Sequence, residues 1–322
     1  MHRNAVIAAA LAAFVAGPVA AKEFKSADIH PPGYPTVAAV EYFGELLKQR
    51  SNGKYTLKVY NSGTLGEEKD TIGQTKLGAL DFNRINMAPF NNIVPETAVP
   101  TLPFLFRSVD HMHKVMDGPI GEQILASLES QGFVGLAFYD SGARSFYTVK
   151  KPVKTLEDLK GMKIRVQQSD LFVGMIKALG ANPTPMPYGE VYTALKTGVV
   201  DAAENNWPSF ESSRHFEVAK FYTRSEHSMS PELFVMSKKV WDGLSPDDQK
   251  IIKQAAKDSV PKMRELWQAR EKESEATVRK AGVEIIPLAD KKPFIDAMKP
   301  VYDSFANKPE LKKMIADIQA TQ

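Results

Sequence analysis

Runs in which apolar residues fall at every second position alternate along this chain with runs in which they recur three and four apart. Residues 23–29 read as a short strand, and His30-Pro31-Pro32-Gly33-Tyr34-Pro35 as a loop. Val37, Val40, Phe43, Leu46 and Leu47 then share one face of a helix over 36–50. Tyr55, Leu57 and Val59 alternate as a strand. Gly66-Glu67-Glu68-Lys69-Asp70 opens a second helix, with acids in its first turn where the helix dipole favours them, and Gly78 ends it. A strand over 79–85 delivers Asn86. This strand-helix-strand-helix-strand order argues for an open α/β sheet.

Further along, Pro89, Pro95, Pro100 and Pro103 scattered among apolar residues predict a buried irregular crossing over 89–106. Helices are expected over 110–116 and 120–131. An apolar strand over 133–139 runs out into Asp140-Ser141-Gly142-Ala143-Arg144. Residues 163–209 organise the middle of the chain. They give a strand, Ile164-Arg165-Val166, a polar turn beginning at Gln167, and a helix with Leu171, Phe172, Met175, Ile176 and Leu179 on its apolar side. A second helix over 188–197 stops at Gly198, and a strand over 199–203 delivers Glu204, Asn205 and Asn206. Residues 216–226 and 233–237 are strand-like, with 227–231, beginning at His227, as a crossover between them.

The grammar then changes. Ser245-Pro246-Asp247-Asp248 is an N-cap, a first-turn proline and two first-turn acids, and helical periodicity continues from there to Gly282. At ~1.5 Å per residue this helix would be roughly 55 Å long, more than one lobe needs, so it is expected to run across two. Pro261 is expected to kink or break it. A strand over 283–286 and helices over 291–306 and 310–320 complete the chain. One internal echo stands out. Lys76-Leu77-Gly78-Ala79-Leu80-Asp81 leads to Asn86, and Lys196-Thr197-Gly198-Val199-Val200-Asp201 leads to Asn206. Each pairs a helix-ending glycine with a short strand and a terminal amide, which suggests two lobes built alike.

Composition sets bounds on this picture. The chain has 322 residues, 43% of them apolar and 25% charged, which suits a globular protein of two domains. A formal net charge of +3, with no Lys/Arg run, leaves no footprint for nucleic acid. Residues 1–21 read as a secretory signal: His2 and Arg3, an apolar run, then small residues, with cleavage expected after Ala21. There is no cysteine, and no later segment has the apolar length of a membrane span. Gly-rich phosphate loops, HExxH and nucleophile-elbow patterns are absent, and His111 and His113, two apart, cannot share a helix face. No cofactor or metal is expected.

The positive signal is a set of polar groups at strand ends, where ligands of open α/β sheets bind: His30, Asn86, Arg144, Arg165, Gln167 and Asn205. A guanidinium suits a carboxylate, and amides and a histidine suit hydroxyls. Tyr188, Trp207 and Phe210 add rings nearby. From spacing alone, Arg165 could equally be a strand arginine in a surface ion pair.

Gly63-Thr64-Leu65-Gly66, Gly142-Ala143-Arg144, Gly161-Met162-Lys163-Ile164-Arg165-Val166, Pro183-Thr184-Pro185-Met186, Glu190-Val191-Tyr192, the string from Leu195 to Asp201, and Glu204-Asn205 give the chain a resemblance. Together they resemble the DctP-type substrate-binding proteins of tripartite ATP-independent periplasmic (TRAP) transporters. The resemblance covers nearly all of the chain after the signal. It implies a periplasmic-binding-protein-like α/β fold: two lobes with open mixed sheets, crossover strands and a long helix, here 246–281, spanning both. Lobe I would comprise 22–142 and about 232–262, and lobe II 143–231 and about 263–322. It implies that Arg165 binds the ligand carboxylate and that Arg144, Asn205, Tyr188 and Asn86 face the ligand. Where many relatives carry proline after the Arg-Val pair, this chain has Gln167. Ser26-Ala27-Asp28-Ile29-His30, Gly66-Glu67-Glu68-Lys69-Asp70 and Glu204-Asn205-Asn206-Trp207-Pro208-Ser209 look like the subset that binds hexuronates. The full candidate set is Arg165, Arg144, Asn205, His30, Glu68, Lys69, Asn86, Gln167, Tyr188, Asn206 and His227. The implied role is a monomeric periplasmic receptor that takes D-glucuronate or D-galacturonate to a TRAP permease in the membrane. A receptor for a C4-dicarboxylate, sialic acid or aldonate is the alternative, and an exported enzyme acting on acidic sugars a third.

Overall fold

The computed structural model describes residues 21–322, so the expected signal segment lies outside the described residues apart from its last position. Eleven strands form in chain order: β1 Lys22–Ala27, β2 Tyr55–Tyr60, β3 Phe82–Asn86, β4 Phe133–Tyr139, β5 Arg144–Thr148, β6 Lys163–Val166, β7 Asn182–Pro185, β8 Ala202–Asn205, β9 Phe221–Ser228, β10 Glu232–Ser237 and β11 Glu284–Pro287. They assort into two mixed sheets, ordered β2-β1-β3-β10-β4 and β11-β9-β5-β8-β6-β7. In the first, β1 runs parallel to β2 and β3, while β10 inserts antiparallel between β3 and β4. In the second, β6 runs parallel to β7 and β8, and β5 lies antiparallel to β8 and β9. The chain passes between sheets at Asp140–Ala143 and again at Met229–Pro231, so the second crossover is shorter than the 227–231 expected. His227 belongs to β9.

A third connection is the helix Pro246–Lys280. Its start follows the sequence signal: Ser245 accepts the Asp248 N–H at 3.2 Å, and Pro246 and two acids fill the first turn. Ile252, Ala255, Ala256, Met263 and Trp267 pack into the first sheet's core beside helix Pro35–Arg50, and Val278 packs into the second sheet's core. The helix therefore belongs to both halves. It is continuous through Pro261, so the break that was one of the two expectations does not occur. Ser259 and Met263 on either side are buried, and that packing outweighs the one backbone bond proline cannot make.

Outside this helix the largest core joins the facing surfaces of the two sheets. Ile85, Leu233 and Val235 meet Phe146, Ile164 and Val166 there through Met87, Phe90, Val94, Val99 and Leu102 of the proline-rich crossing. That crossing is buried as expected, folded as short helical turns. The sequence echo is also a structural one. Gly78 and Gly198 cap their helices at φ +78° and +75°, in the left-handed region that favours glycine. Asp81 accepts the Lys25 N–H at 2.8 Å, and Asp201 accepts the Lys163 N–H at 2.9 Å. Each aspartate thus ties its incoming strand to a neighbour, so β3 and β8 begin about three residues later than periodicity predicts.

Candidate ligand-binding site

Strand ends from both sheets meet around a cavity, and Glu68, Arg165, Gln167 and Tyr188 are shared between its lining and that of an adjoining space. The first-sheet wall is organised by Arg84, the middle residue of β3, only 1% exposed. Its Nε donates to Asp28 Oδ2 at 2.8 Å and its Nη2 to Asp28 Oδ1. Its Nη1 donates to Glu232 Oε2 at 2.7 Å and to Glu68 Oε1 at 3.4 Å. Partners of this kind replace the hydration that a guanidinium loses on burial. Burial would lower the pKa of Arg84, but Asp28 and Glu232 more than offset that and hold it well above its ordinary value. Glu68, where burial dominates and Arg84 opposes, is pushed up to about 7. Asn86 completes this wall, its backbone N–H on Glu68 Oε1 at 2.8 Å and its amide on Glu232 Oε1 at 2.9 Å.

The second-sheet wall carries two arginines in different circumstances. Arg144 opens β5. Its Nε and Nη2 donate to the two oxygens of the Glu204 carboxylate at 2.5 and 2.8 Å, and its Nη1 donates to Asn205 Oδ1 at 2.8 Å. Burial alone would raise the Glu204 carboxyl, but Arg144 and His227 hold it down to about 2. Arg165, the third residue of β6, is 3% exposed. Its Nε and Nη2 donate to the Met186 carbonyl at 3.1 and 2.8 Å. Among the described residues no carboxylate stands within ion-pair distance of it, and burial lowers its pKa. Of the three arginines lining the cavity, it alone lacks an acid partner among the described residues.

His30 stacks on Tyr34, ring centroids 3.7 Å apart, and meets the edge of Tyr188 at 5.3 Å. Burial, then Arg84 and Arg144, drive its pKa well below the ordinary value, so the ring is neutral. Its Nδ1 and the Oε1 of Gln167 are buried without a hydrogen-bond partner among the described residues. Such atoms are uncommon inside proteins, and on a polar cavity they are available to a ligand or to water. The two halves touch directly around this space. Glu67 accepts the backbone N–H groups of Tyr188 and Gly189, both at 3.2 Å, and Tyr34 Oη pairs with Ser209 Oγ at 2.9 Å.

From the expected set, His30, Glu68, Asn86, Arg144, Arg165, Gln167, Tyr188, Asn205 and Asn206 all line the cavity. Lys69 does not: it is exposed, because its neighbour on the helix, Glu68, takes the inward direction and adjacent helical positions diverge. His227 does not reach the cavity either. It is buried behind Glu204, its Nε2 3.3 Å from Oε2, its Nδ1 2.8 Å from Ser225 Oγ, and its ring stacked on Phe146. Sequence reasoning missed Arg84, Ser141, Ser209 and Glu232. The signal for Arg84 was present, a cation inside the strand Phe82-Asn83-Arg84-Ile85, since a charge within an apolar strand has to be paired. Among the described residues no group of three or more His, Asp and Glu is arranged to hold a metal ion, and no helix is long and apolar enough to cross a membrane.

The family described as "Bacterial extracellular solute-binding protein, family 7" (DctP) matches residues 26–308. Among solved structures, a TRAP periplasmic solute-binding protein from Bradyrhizobium sp. BTAi1 in complex with α/β-D-galacturonate is 63% identical, with a TM-score of 0.92 over 93% of this chain and 100% of that one. One from Xanthobacter autotrophicus Py2 with bound β-D-galacturonate is 56% identical, with a TM-score of 0.91 over the same shares. One from Roseobacter denitrificans with bound β-D-glucuronate is 45% identical, with a TM-score of 0.91 over 94% of this chain and 100% of that one.

Proposed function

The chain belongs to the DctP family of TRAP-transporter solute-binding proteins, and on that premise we propose that it captures a hexuronate, D-galacturonate or D-glucuronate, and delivers it to a membrane permease. The family is one of receptors that work with membrane permease subunits and reside in the periplasm. The observation that carries the ligand class is Arg165. A buried guanidinium without a carboxylate of its own is completed by one brought by the ligand. Arg165 holds the Met186 carbonyl through Nε and Nη2, which leaves Nη1 to the ligand. The remaining lining suits a polyol. Gln167 Oε1 accepts a hydroxyl, neutral His30 donates or accepts, and the Asn205 and Asn206 amides add further partners.

Capture follows from the position of the groups. Arg84 and Asn86 come from the first sheet and Glu68 from the helix beside it, while Arg165, Arg144 and Asn205 come from the second sheet. Only a closed arrangement lets one ligand touch all of them, so binding draws the halves together. No bond in the ligand is made or broken; the chain is a receptor and not an enzyme. A thermal-shift screen over hexuronates, aldonates and C4-dicarboxylates tests this, because a ligand held only by the folded chain raises its melting temperature. Hexuronates are expected to give the largest shifts, and mass spectrometry is expected to recover them unchanged. A dicarboxylate that outperforms every hexuronate, or a chemically altered sugar, would overturn the reading.

A further inference from the structure

The two walls of the cavity carry opposite charge. On the first-sheet side one arginine, Arg84, faces three carboxylates: Asp28 after β1, Glu68 opening helix Glu68–Leu77 and Glu232 opening β10. On the second-sheet side two arginines, Arg144 and Arg165, face one carboxylate, Glu204. The three acids of the first wall are not equally engaged. Both oxygens of Asp28 accept bonds from Arg84, with His30 N–H and Thr36 Oγ adding to them. Both oxygens of Glu232 accept as well, from Arg84 and Asn86. Glu68 uses only Oε1, for Arg84 and the Asn86 N–H. Its Oε2 has no partner among the described residues, and the side chain lines both spaces of the cavity.

We propose that Glu68 sets the charge of the ligand this site accepts: its free oxygen takes a hydroxyl of a monocarboxylate sugar and turns away sugars with a second carboxylate. This rests on the hexuronate reading above and deepens it. A uronate whose acid group meets Arg165 offers only hydroxyls and a ring oxygen to the opposite wall, and hydroxyl donors suit a carboxylate acceptor. An aldarate carries a second carboxylate at C1, is therefore an open chain without the pyranose ring, and meets like charge there; the pH arm and the Glu68 variant below separate the charge from the change of shape. Like charges brought together in a desolvated site cost several kcal/mol in general. The groups facing Glu68 are Arg84 from β3, Asp28 after β1, Glu232 from β10 and, across the cavity, Arg165 from β6. Burial, Glu232 and Asp28 together outweigh Arg84 and push the pKa of Glu68 up to about 7, so that it is about half protonated at that pH. Selectivity therefore relaxes as Glu68 gains its proton.

Titration calorimetry with D-galacturonate and galactarate, on the native protein and on Glu68→Gln, tests this. The native protein at pH 8 is expected to prefer galacturonate at least a hundredfold, and the preference to narrow several-fold at pH 6. In Glu68→Gln the preference is expected to fall at least tenfold at pH 8 and to stay flat between the two pH values. A native protein that binds galacturonate but takes galactarate equally well, or whose preference ignores pH, overturns the role of Glu68 and leaves the hexuronate reading standing. The same holds for a variant with unchanged preference. The pH arm uses the native chain alone and does not depend on the variant's folding. A native protein that binds no hexuronate overturns the functional reading, and the role of Glu68 with it.

Discussion

Replacing Arg165 by methionine sets binding against stability. The side chain is 3% exposed, gives two N–H groups to the Met186 carbonyl, and has no acid partner among the described residues. Its removal deletes the cation that the ligand carboxylate would meet. Losing one member of a buried charge pair costs ~2–5 kcal/mol, which is roughly thirtyfold to several thousandfold in Kd. In the ligand-free chain the sign reverses. A cation held out of water without a counter-charge is a liability, and an apolar side chain of similar length relieves it by ~1–4 kcal/mol. From that gain about 1 kcal/mol is lost because the Met186 carbonyl forfeits its donors. The ligand-free variant is therefore expected to melt at the native temperature or a few degrees above it, while calorimetry finds hexuronate binding nearly abolished. A variant that keeps native affinity refutes the assignment of Arg165 to the ligand. A ligand-free variant that melts more than about 5 °C lower refutes the charge argument, and makes Arg165 a structural residue.

Three further outcomes follow from the same geometry. Glu204→Gln takes away the counter-charge of Arg144, a fully buried cation, and should destabilise the chain by ~3–5 kcal/mol in urea titrations; a loss under 1 kcal/mol would show that Arg144 needs no acid. Glu67→Ala removes the acceptor of two backbone N–H groups across the cavity mouth, so ligand dissociation in stopped flow should quicken about tenfold with little change in association; unchanged dissociation would remove Glu67 from closure. Burial lowers the pKa of His30, His215 and His227, that of His215 to about 3. The unfolded chain then takes up protons near pH 6.5 that the folded chain refuses. Stability is complete above that pH and lost as pH falls toward the folded values, with His215 alone accounting for about 2 kcal/mol by pH 5. Glu68, raised to about 7, works the other way because the folded chain binds its proton first, so the measurement is made on Glu68→Gln, where urea midpoints that stay level from pH 7.5 to 5 would contradict the histidine loss.

The parts of the fold legible in sequence were those where local rules and tertiary packing agree. Helix Pro35–Arg50, strand β4 and the start of the long helix lie where periodicity and capping residues put them. β7 was missed because Pro183 and Pro185 argue against a strand. They are tolerated because β7 is the last strand of its sheet, where donors are dispensable. The helix Trp207–Ser212 was hidden by Pro208, which sits harmlessly in its first turn. In the cavity, strand-end logic found the residues of β6 and β8 because they stand where a strand stops. Arg84 stands one residue pair earlier, inside β3, and its carboxylates come from elements far apart in the chain, so no local pattern joins them. His227 belongs to the expected set but stands behind Glu204, away from the cavity. The bend that turns it toward Glu204 follows from the irregular pairing of β9 with β5, which periodicity does not reveal.

The placement of β10 bears on how this protein comes to be folded at all. Asn86 and Glu232, paired across β3 and β10, lie 146 positions apart in the chain. Until β10 has been made, β3 and β4 each present a bare edge, and the first sheet has a gap between them. Distant pairings of this kind are slow to form, and they hold the chain loose until the last partner arrives. A chain that ends before β10 therefore leaves the facing edges of β3 and β4 unpaired, and the first sheet closes only once more than two thirds of the polypeptide exists.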